Sequence, residues 1–398
     1  MLVFLLAFLY LAVNAYILIW VFRFIDACLS ERGAGRKGLK TVCAVLYMVL
    51  CLTPLFAFLL PLSGWKGAVA RISNYWMGCF LYIVLVTVAA DLVRIVVRRV
   101  PVLRRKIPQT ERFFAGVFCL AVIIAAGVSL YGIGNAKNIR VTGYAVKVDK
   151  EVPGRDSLRI VLAADIHMGY SIGWRHVEQM VRKINAQQPD VVCIAGDIFD
   201  NHFEAVGEPE KIKEALQNID APLGVYACYG NHDYEEKILA GFTFSSEEKV
   251  EIGEQMREFL KEAGIRTLED EAILIDDSFY LAGRRDASSK RKSGTGRKTP
   301  GQLLGSLDQT KPIIVMDHQP RQMDELAAAG ADMDLCGHTH DGQLFPGNII
   351  TALMWENSCG YLQTGNMHQI VTSGAGIFGP YMRVGTKSEI AVIDVSFR

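Results

Sequence analysis

The sequence predicts a chain in two parts: a bundle of about four membrane-crossing helices in residues 1–135, followed by an α/β domain in residues 138–398. Three observations predict it. Long apolar runs succeed one another through the first third and stop near Asn138. Beyond that point, short apolar runs alternate with segments of helical periodicity, the pattern of a layered α/β sheet. Those short runs end in clusters of Asp, His and Asn.

The apolar runs lie near residues 3–21, 39–62, 75–93 and 113–131, and each approaches the ~20 residues that cross a bilayer as a helix. They lack the polar face that a helix on a globular core carries. No basic residue precedes the first run and no clear small-x-small site ends it, which argues against a cleaved signal peptide. Between runs one and two lie Arg23, Arg32, Arg36, Lys37 and Lys40; between three and four lie Arg94, Arg98, Arg99, Arg104, Arg105, Lys106 and Arg112. Short loops rich in Lys and Arg stay cytoplasmic. A multi-pass protein of the cell membrane is expected, with an even number of crossings and the C-terminal domain outside the cytoplasm. Trp65, Tyr75 and Trp76 fall near predicted helix ends, as an interfacial aromatic belt does. Asp91 is the one acidic residue inside a run, and Arg94 three positions on can pair with it on the same helix face. So few ionisable groups do not suit a transporter or channel.

Charge and cysteine usage exclude other classes. Lys plus Arg and Asp plus Glu number 42 each, so the balance favours neither a nucleic-acid nor an acidic partner, and no nucleic acid is expected. The nine cysteines include no CxxC spacing, and free, mostly buried thiols are expected.

In the second part, residues 139–148 alternate as a strand, and 159–164 reads as a buried strand followed by a helix at 174–187, where Val177, Met180, Val181 and Ile184 share one face. A strand at 190–195, a helix at 208–219 and a strand at 223–229 repeat the unit. A hairpin-like stretch at 272–282 precedes strands at 312–316 and 333–336. What stands after each strand is the informative part: Asp165-Ile166-His167, then Gly196-Asp197-Ile198-Phe199-Asp200, Gly230-Asn231-His232-Asp233, His318, and Gly337-His338-Thr339-His340. Loops at the carboxyl ends of such strands converge on one crevice. Carboxylates, imidazoles and one amide, with no thiolate or nucleophilic serine motif, form a mixed O/N donor set. That set suits Mn, Fe or Zn better than Ca or Mg. Two ions close together need a shared ligand, and Asp197 on its tight turn is the candidate. Gly196, Gly230 and Gly337 precede ligand-bearing turns, where backbone passes close to metal without a Cβ in the way.

In their order DxH, GDxxD, GNH[DE], isolated His and GHxH, these motifs resemble the calcineurin-like metallophosphoesterase family over about two thirds of the chain. The resemblance implies a β-sandwich of two mixed sheets flanked by helices. It implies one divalent metal held by Asp165, His167, bridging Asp197 and His340, and a second by Asp197, Asn231, His318 and His338. It makes His232 a catalytic group facing the substrate as general acid or charge stabiliser, and Asp200 is expected to orient it. The reaction implied is hydrolysis of a phosphate ester by a metal-bridging hydroxide. The GHTHDGQLFP stretch and Ser373-Gly374-Ala375-Gly376 with Pro380 and Arg383 are similar to the membrane-associated branch of that family. Two departures are Asp317 before His318 and Asp341 after His340.

His176, His202 and His368 are expected to be solvated or core histidines, with His202 within reach of the phosphate. The segment 284–298 carries seven basic residues against one acid. It reads as a solvated insertion, or as an electrostatic guide for an anionic headgroup. The bilayer is the expected partner and a membrane lipid or lipid-linked phosphate the expected substrate. The alternatives are an extracytoplasmic phosphatase or nuclease on soluble substrates, and a noncatalytic sensor that keeps the fold. The topology has a direct readout: a cysteine placed at Val102 should be shielded from an impermeant thiol reagent in intact cells, and one at Gly294 should react, relative to the unsubstituted chain. The opposite labelling pattern would put the catalytic domain in the cytoplasm.

Overall fold

In the computed structural model the described residues are 2–29, 34–60, 64–108, 110–234, 237–239, 242–244, 251–289, 294 and 296–398. The chain divides into two compact units, Met1–Gly132 and Ile133–Arg398.

The first unit is helical: α1 (Leu2–Cys28), α2 (Ala34–Cys51), α3 (Thr53–Leu59), α4 (Gly64–Arg99), the short α5 (Pro101–Lys106) and α6 (Glu111–Ala136), whose last turn enters the second unit. Among the described residues three spans, Leu5–Cys28, Trp65–Arg99 and Glu111–Ala136, are long and apolar enough to cross a membrane; a fourth counts only if α2 and α3 are one span. The predicted run at 39–62 is thus a bent pair, with 41° between its halves. Pro54 is the physical reason, because it has no N–H to donate to the Leu50 carbonyl and its ring crowds that carbonyl. The Thr53 hydroxyl donates to the carbonyl instead, at 2.6 Å. Asp91 lies 3.7 Å from Arg94, but its Oδ2 accepts shorter bonds from Tyr16 (2.7 Å) and the Trp20 indole (3.0 Å) of α1. Its main work is to tie α4 to α1. Of the nine free cysteines, Cys51, Cys193, Cys228 and Cys336 are buried, whereas Cys28 and Cys119 lie exposed on apolar helices. The expectation of mostly buried thiols therefore holds for the strands and fails for those two helical positions.

The second unit stacks two six-stranded mixed sheets. The first follows the order β1 (Arg140–Val148), β14 (Glu389–Phe397), β2 (Ser157–Ala163), β3 (Val191–Ala195), β4 (Val225–Cys228), β7 (Ile265–Thr267). The second runs β12 (Gly360–Thr364), β13 (Met367–Val371), β11 (Met333–Cys336), β10 (Ile313–Met316), β9 (Phe279–Gly283), β8 (Glu271–Ile275). Strands β2, β3, β4 and β7 are parallel, as are β13, β11, β10 and β9; β14 against β2, β12 against β13 and β8 against β9 are antiparallel. A separate hairpin pairs β5 (Lys237–Leu239) with β6 (Phe242–Phe244). Among the described residues the helices are α7 (Trp174–Asn185), α8 (Pro209–Gln217), α9 (Glu254–Glu262), α10 (Pro300–Leu304), α11 (Met323–Ala328) and α12 (Gly347–Met354).

The core lies between the sheets. Ile160, Leu162, Val191 and Cys193 of the first meet Leu281, Ile314, Met316, Leu335 and Ile370 of the second. The central parallel strands are buried on both faces, which is why they read as continuous apolar runs rather than alternating ones. Sequence reading did not reach β5 to β7, β12 to β14 or α9 to α12. The C-terminal β14 sits between β1 and β2, a pairing across the whole domain that no local pattern announces. Phe279 is fully buried between the sheets and remote in sequence from the ligand turns. Phe279→Ala should cost about 3–5 kcal/mol of stability, read by denaturant unfolding of the solubilised chain followed by near-UV circular dichroism. A loss under about 1 kcal/mol would show that the interface repacks freely.

Candidate metal centre

The five turns that carry the predicted ligands leave the C-terminal ends of β2, β3 and β4 in one sheet and of β10 and β11 in the other. Turning the chain at once, so that the side chains point back to a common centre, forces unusual backbone. Asp165 (φ 52°), His167 (φ 51°), Asp197 (φ 49°), His338 (φ 75°) and His340 (φ 51°) are all left-handed. Each such residue costs roughly 1–3 kcal/mol and persists only where its surroundings over-determine it. Gly230 shows how tightly the turns pack: a Cβ there would stand 2.2 Å from Asp197 Oδ1 and 2.4 Å from the Asp197 nitrogen.

Two groups of donors result, Asp165 with His167 and His340, and Asp197 with His318 and His338; within each, the ligand atoms all lie within 4.8 Å of one another. In the first, His167 Nε2 is 3.0 Å from His340 Nε2, which lies 3.5 Å from Asp165 Oδ1. In the second, His318 Nε2 is 3.1 Å from Asp197 Oδ2, 3.2 Å from Asn231 Oδ1 and 3.2 Å from His338 Nδ1. Asp197 Oδ2 also lies 3.7 Å from His167 Nε2, so one carboxylate oxygen faces both groups. Its other oxygen accepts the His232 backbone N–H at 2.7 Å, and this fixes which oxygen looks inward.

Surrounding bonds hold the donors in place, as they do around metal-ligating histidines. The Ala195 carbonyl accepts from His318 Nδ1 at 2.9 Å, turning Nε2 toward the centre. Both Asp165 oxygens accept the His338 N–H at 3.0 Å. Asp233 is not a donor to the centre. Its oxygens accept the backbone N–H groups of Ile198, Phe199 and Gly230 and so join two ligand turns. Fully buried Arg383 donates to the carbonyls of His340, Ser373 and Gly376 and lies 3.3 Å from His340 Nδ1.

Electrostatically, the site is a set of buried charges held against desolvation. Burial pushes the Asp165 carboxyl up to about 7 and the His167 imidazole down to about 3. Burial would also raise Asp197, but the charges of His318, His232 and His167 overcome it and hold the group well below the usual carboxylate range. Burial disfavours charge on His318 too, and Asp197 and Asp165 together hold its pKa well above the ordinary value. Lone pairs of this density, aimed at one another and shielded from water, repel unless a proton or cation stands among them. The donor set therefore fits divalent metal, with five of the seven candidate ligands buried and Asn231 and His338 partly exposed at the mouth.

His232 is also partly exposed. Its Nδ1 lies 3.2 Å from Asn201 Oδ1, and the Asn201 amide in turn lies 3.4 Å from Asp200 Oδ1. Asn201 thus stands between His232 and the residue expected to orient it. The surrounding protein, and then the Asp197 charge, push the Asp200 carboxyl up to about 7. Phe378 packs on both the His232 ring (4.3 Å between centroids) and the His167 ring (5.4 Å). Asn201 and Phe378 were missed in the sequence because each lies beside a motif rather than in it. Of the leftover histidines, His176 Nε2 bonds the Ala375 carbonyl at 2.8 Å and His368 Nε2 that of Lys147 at 2.9 Å, both structural contacts.

Asp317, noted as a departure, is fully buried and paired with Arg284 (2.7 Å) and Arg297 (3.0 Å). Arg285 reaches Glu269, and Lys298 bonds the Asp270 carbonyl. The described basic residues of segment 284–298 are therefore engaged with the domain. The other bases of that segment, Lys290, Arg291 and Lys292, lie outside the described residues.

Comparison with known proteins follows the same lines. The calcineurin-like phosphoesterase family profile matches residues 158–342. A zebrafish protein described as a transmembrane protein with metallophosphoesterase domain is 32% identical over 286 residues, which cover 69% of this chain and 61% of that one. An uncharacterized metallophosphoesterase of Aquifex aeolicus is 29% identical over 259 residues, covering 65% of this chain and 92% of its own. The UDP-2,3-diacylglucosamine pyrophosphatase LpxG of Chlamydia trachomatis is 24% identical over 261 residues, covering 56% and 77%. The chain, with its apolar N-terminal helices and its two convergent ligand groups, belongs to the calcineurin-like phosphoesterase family.

Proposed function

We propose that this protein is a membrane-anchored, metal-dependent phosphoric ester hydrolase that acts on a lipid or lipid-linked phosphate from outside the cytoplasm. The observation that carries the hydrolase reading is the single Asp197 oxygen facing both donor groups, at 3.1 Å from His318 Nε2 and 3.7 Å from His167 Nε2. Asp165, His167, His340 and Asp197 would hold one divalent cation, and Asp197, Asn231, His318 and His338 the other. The mixed nitrogen and oxygen donors favour Mn, Fe or Zn. Bound there, two such cations would supply an activated water at neutral pH and would neutralise charge on the phosphoryl oxygens.

The chain's own residues supply the rest. His232 stands at the mouth, steadied by Asn201 and Phe378, where it can give a proton to the departing oxygen. Asp200 sets the Asn201 amide behind it. The fixed backbone turns keep the donors oriented before substrate arrives, so little reorganisation accompanies the reaction.

Two points support a lipid. The relative LpxG is named for an acylated nucleotide sugar. Only residues 137–139 separate α6 from β1, so an anchored domain has little free tether with which to leave the bilayer. The uneven distribution of basic residues between loops supports the external placement.

Asp197→Asn should lose bound metal and activity together. His232→Ala should retain metal and lose roughly 10²- to 10⁴-fold in turnover, most severely for substrates with poor leaving groups. Elemental analysis and steady-state rates measure both, and full metal occupancy in an inactive Asp197→Asn protein would refute the shared ligand. For the substrate, the reconstituted full chain should hydrolyse a phospholipid or lipid-linked nucleotide in vesicles faster than a soluble aryl phosphodiester. Turnover of soluble phosphates alone would instead favour a phosphatase or nuclease of the extracytoplasmic space.

A further inference from the structure

Helix α12 follows the last metal-ligand turn and is built unlike the other described helices of its unit. None of its residues is buried, although a surface helix of a globular domain ordinarily covers one face on the core. Ile349 is 51% exposed, Ile350 55%, Leu353 83% and Met354 71%. Spaced i, i+1, i+4 and i+5, they form one stripe. The helix Gly347–Met354 contains no charged side chain, and Phe345 just before it is also exposed.

Both ends of this helix are fixed to the site. At the first, a Cβ on Gly347 would stand 2.5 Å from the Gly342 carbonyl, in the turn that follows His340. At the second, the Trp355 ring packs edge-on against His338, 5.2 Å between centroids, and the Arg321 guanidinium lies over the same ring at 4.6 Å. A gradient results within a few residues, from metal ligand to aromatic ring and cation to bare aliphatic side chains. Amphipathic elements that lie in a membrane interface have this order, with aromatic and cationic groups at headgroup level and aliphatic groups beneath.

We propose that α12 dips into the acyl region of a bilayer leaflet, so that an acylated phosphate ester reaches the metal centre with its phosphate past Trp355 and its chain along the Ile349–Met354 stripe. The inference rests on the membrane-anchored hydrolase reading and adds the element that meets the lipid. The occupant is hydrocarbon because the stripe is uncharged and convex rather than a groove for a peptide, and because the chain carries its own apolar spans. Arg321 stands where an anionic headgroup would be.

The test uses the full chain reconstituted in phosphatidylethanolamine and phosphatidylglycerol vesicles. Leu353→Cys is labelled with an environment-sensitive fluorophore, and the unsubstituted chain is labelled in parallel as background. Acyl-chain doxyl lipids should quench the Leu353 probe at least twofold. Replacing Ile350, Leu353 and Met354 together with Ser should lower the ratio of lipid to soluble phosphodiester turnover at least tenfold. A probe that doxyl lipids leave bright overturns the proposal, and one that is blue-shifted yet unquenched assigns the stripe to a protein partner or a second copy. An unchanged turnover ratio overturns the substrate path. Quenching without hydrolysis of any vesicle lipid leaves α12 in the bilayer and defeats the lipid-substrate reading alone.

Discussion

The arrangement of this domain turns on Asp197. It is buried, its Oδ1 is committed to the His232 backbone N–H, and its Oδ2 lies between imidazoles delivered by the opposite sheet and by the turn after β2. A carboxylate so placed is tolerable only with positive charge on either side of it, since an isolated buried anion costs far more than a fold of ordinary stability can supply. The geometry of two sheets is thus tied to one oxygen. Strand β3, which carries it, is flanked by β2 and β4, and its turn is closed by the Asp233 carboxylate and by the absence of a side chain at Gly230.

The sandwich lets short, rigid strands from both sheets end at one place. Strands buried on both faces are stiff and hard to displace, and strain at their ends can be borne by the apolar core between them. Five left-handed ligand residues are the visible sign of that load. They sit where turns are abrupt rather than in long loops, and the Asp165 and Asp233 carboxylates reinforce them by accepting the backbone N–H groups of His338 and Gly230. Partly exposed His232 is held by the Asn201 amide and the Phe378 ring, whereas the buried ligand His318 is held by the Ala195 carbonyl.

Charges that look like a surface device in the sequence can be structural. Arg284 and Arg297 close on Asp317, the neighbour of His318, and share Gln322 as a second acceptor. The bases at the ends of segment 284–298 therefore brace the strand end that carries His318. In the helical unit the same lesson applies to Asp91, which draws Tyr16 and Trp20 across from α1 more closely than it draws Arg94 on its own helix.

The sequence by itself determined the apolar spans, strands β1 to β4 with helices α7 and α8, the hairpin and strands from β8 to β11, and the identity of the residues that gather at the centre. Those features are local: a bilayer demands length and apolarity, a buried strand demands an unbroken apolar run, and a tight ligand turn demands Gly beside Asp or His. Tertiary structure alone decided the rest. The run at 39–62 read as one span, and only the structure shows the 41° bend beside Pro54 that divides it into α2 and α3. That β14 lies between β1 and β2, that Asn201 stands between Asp200 and His232, and that Phe378 covers two histidines are contacts between distant segments. So is the exposure of α12, whose composition reads like any short core helix until the fold leaves it with nothing to cover. Periodicity reports which face of an element is apolar, whereas the partner of that face is fixed only when the whole chain has closed.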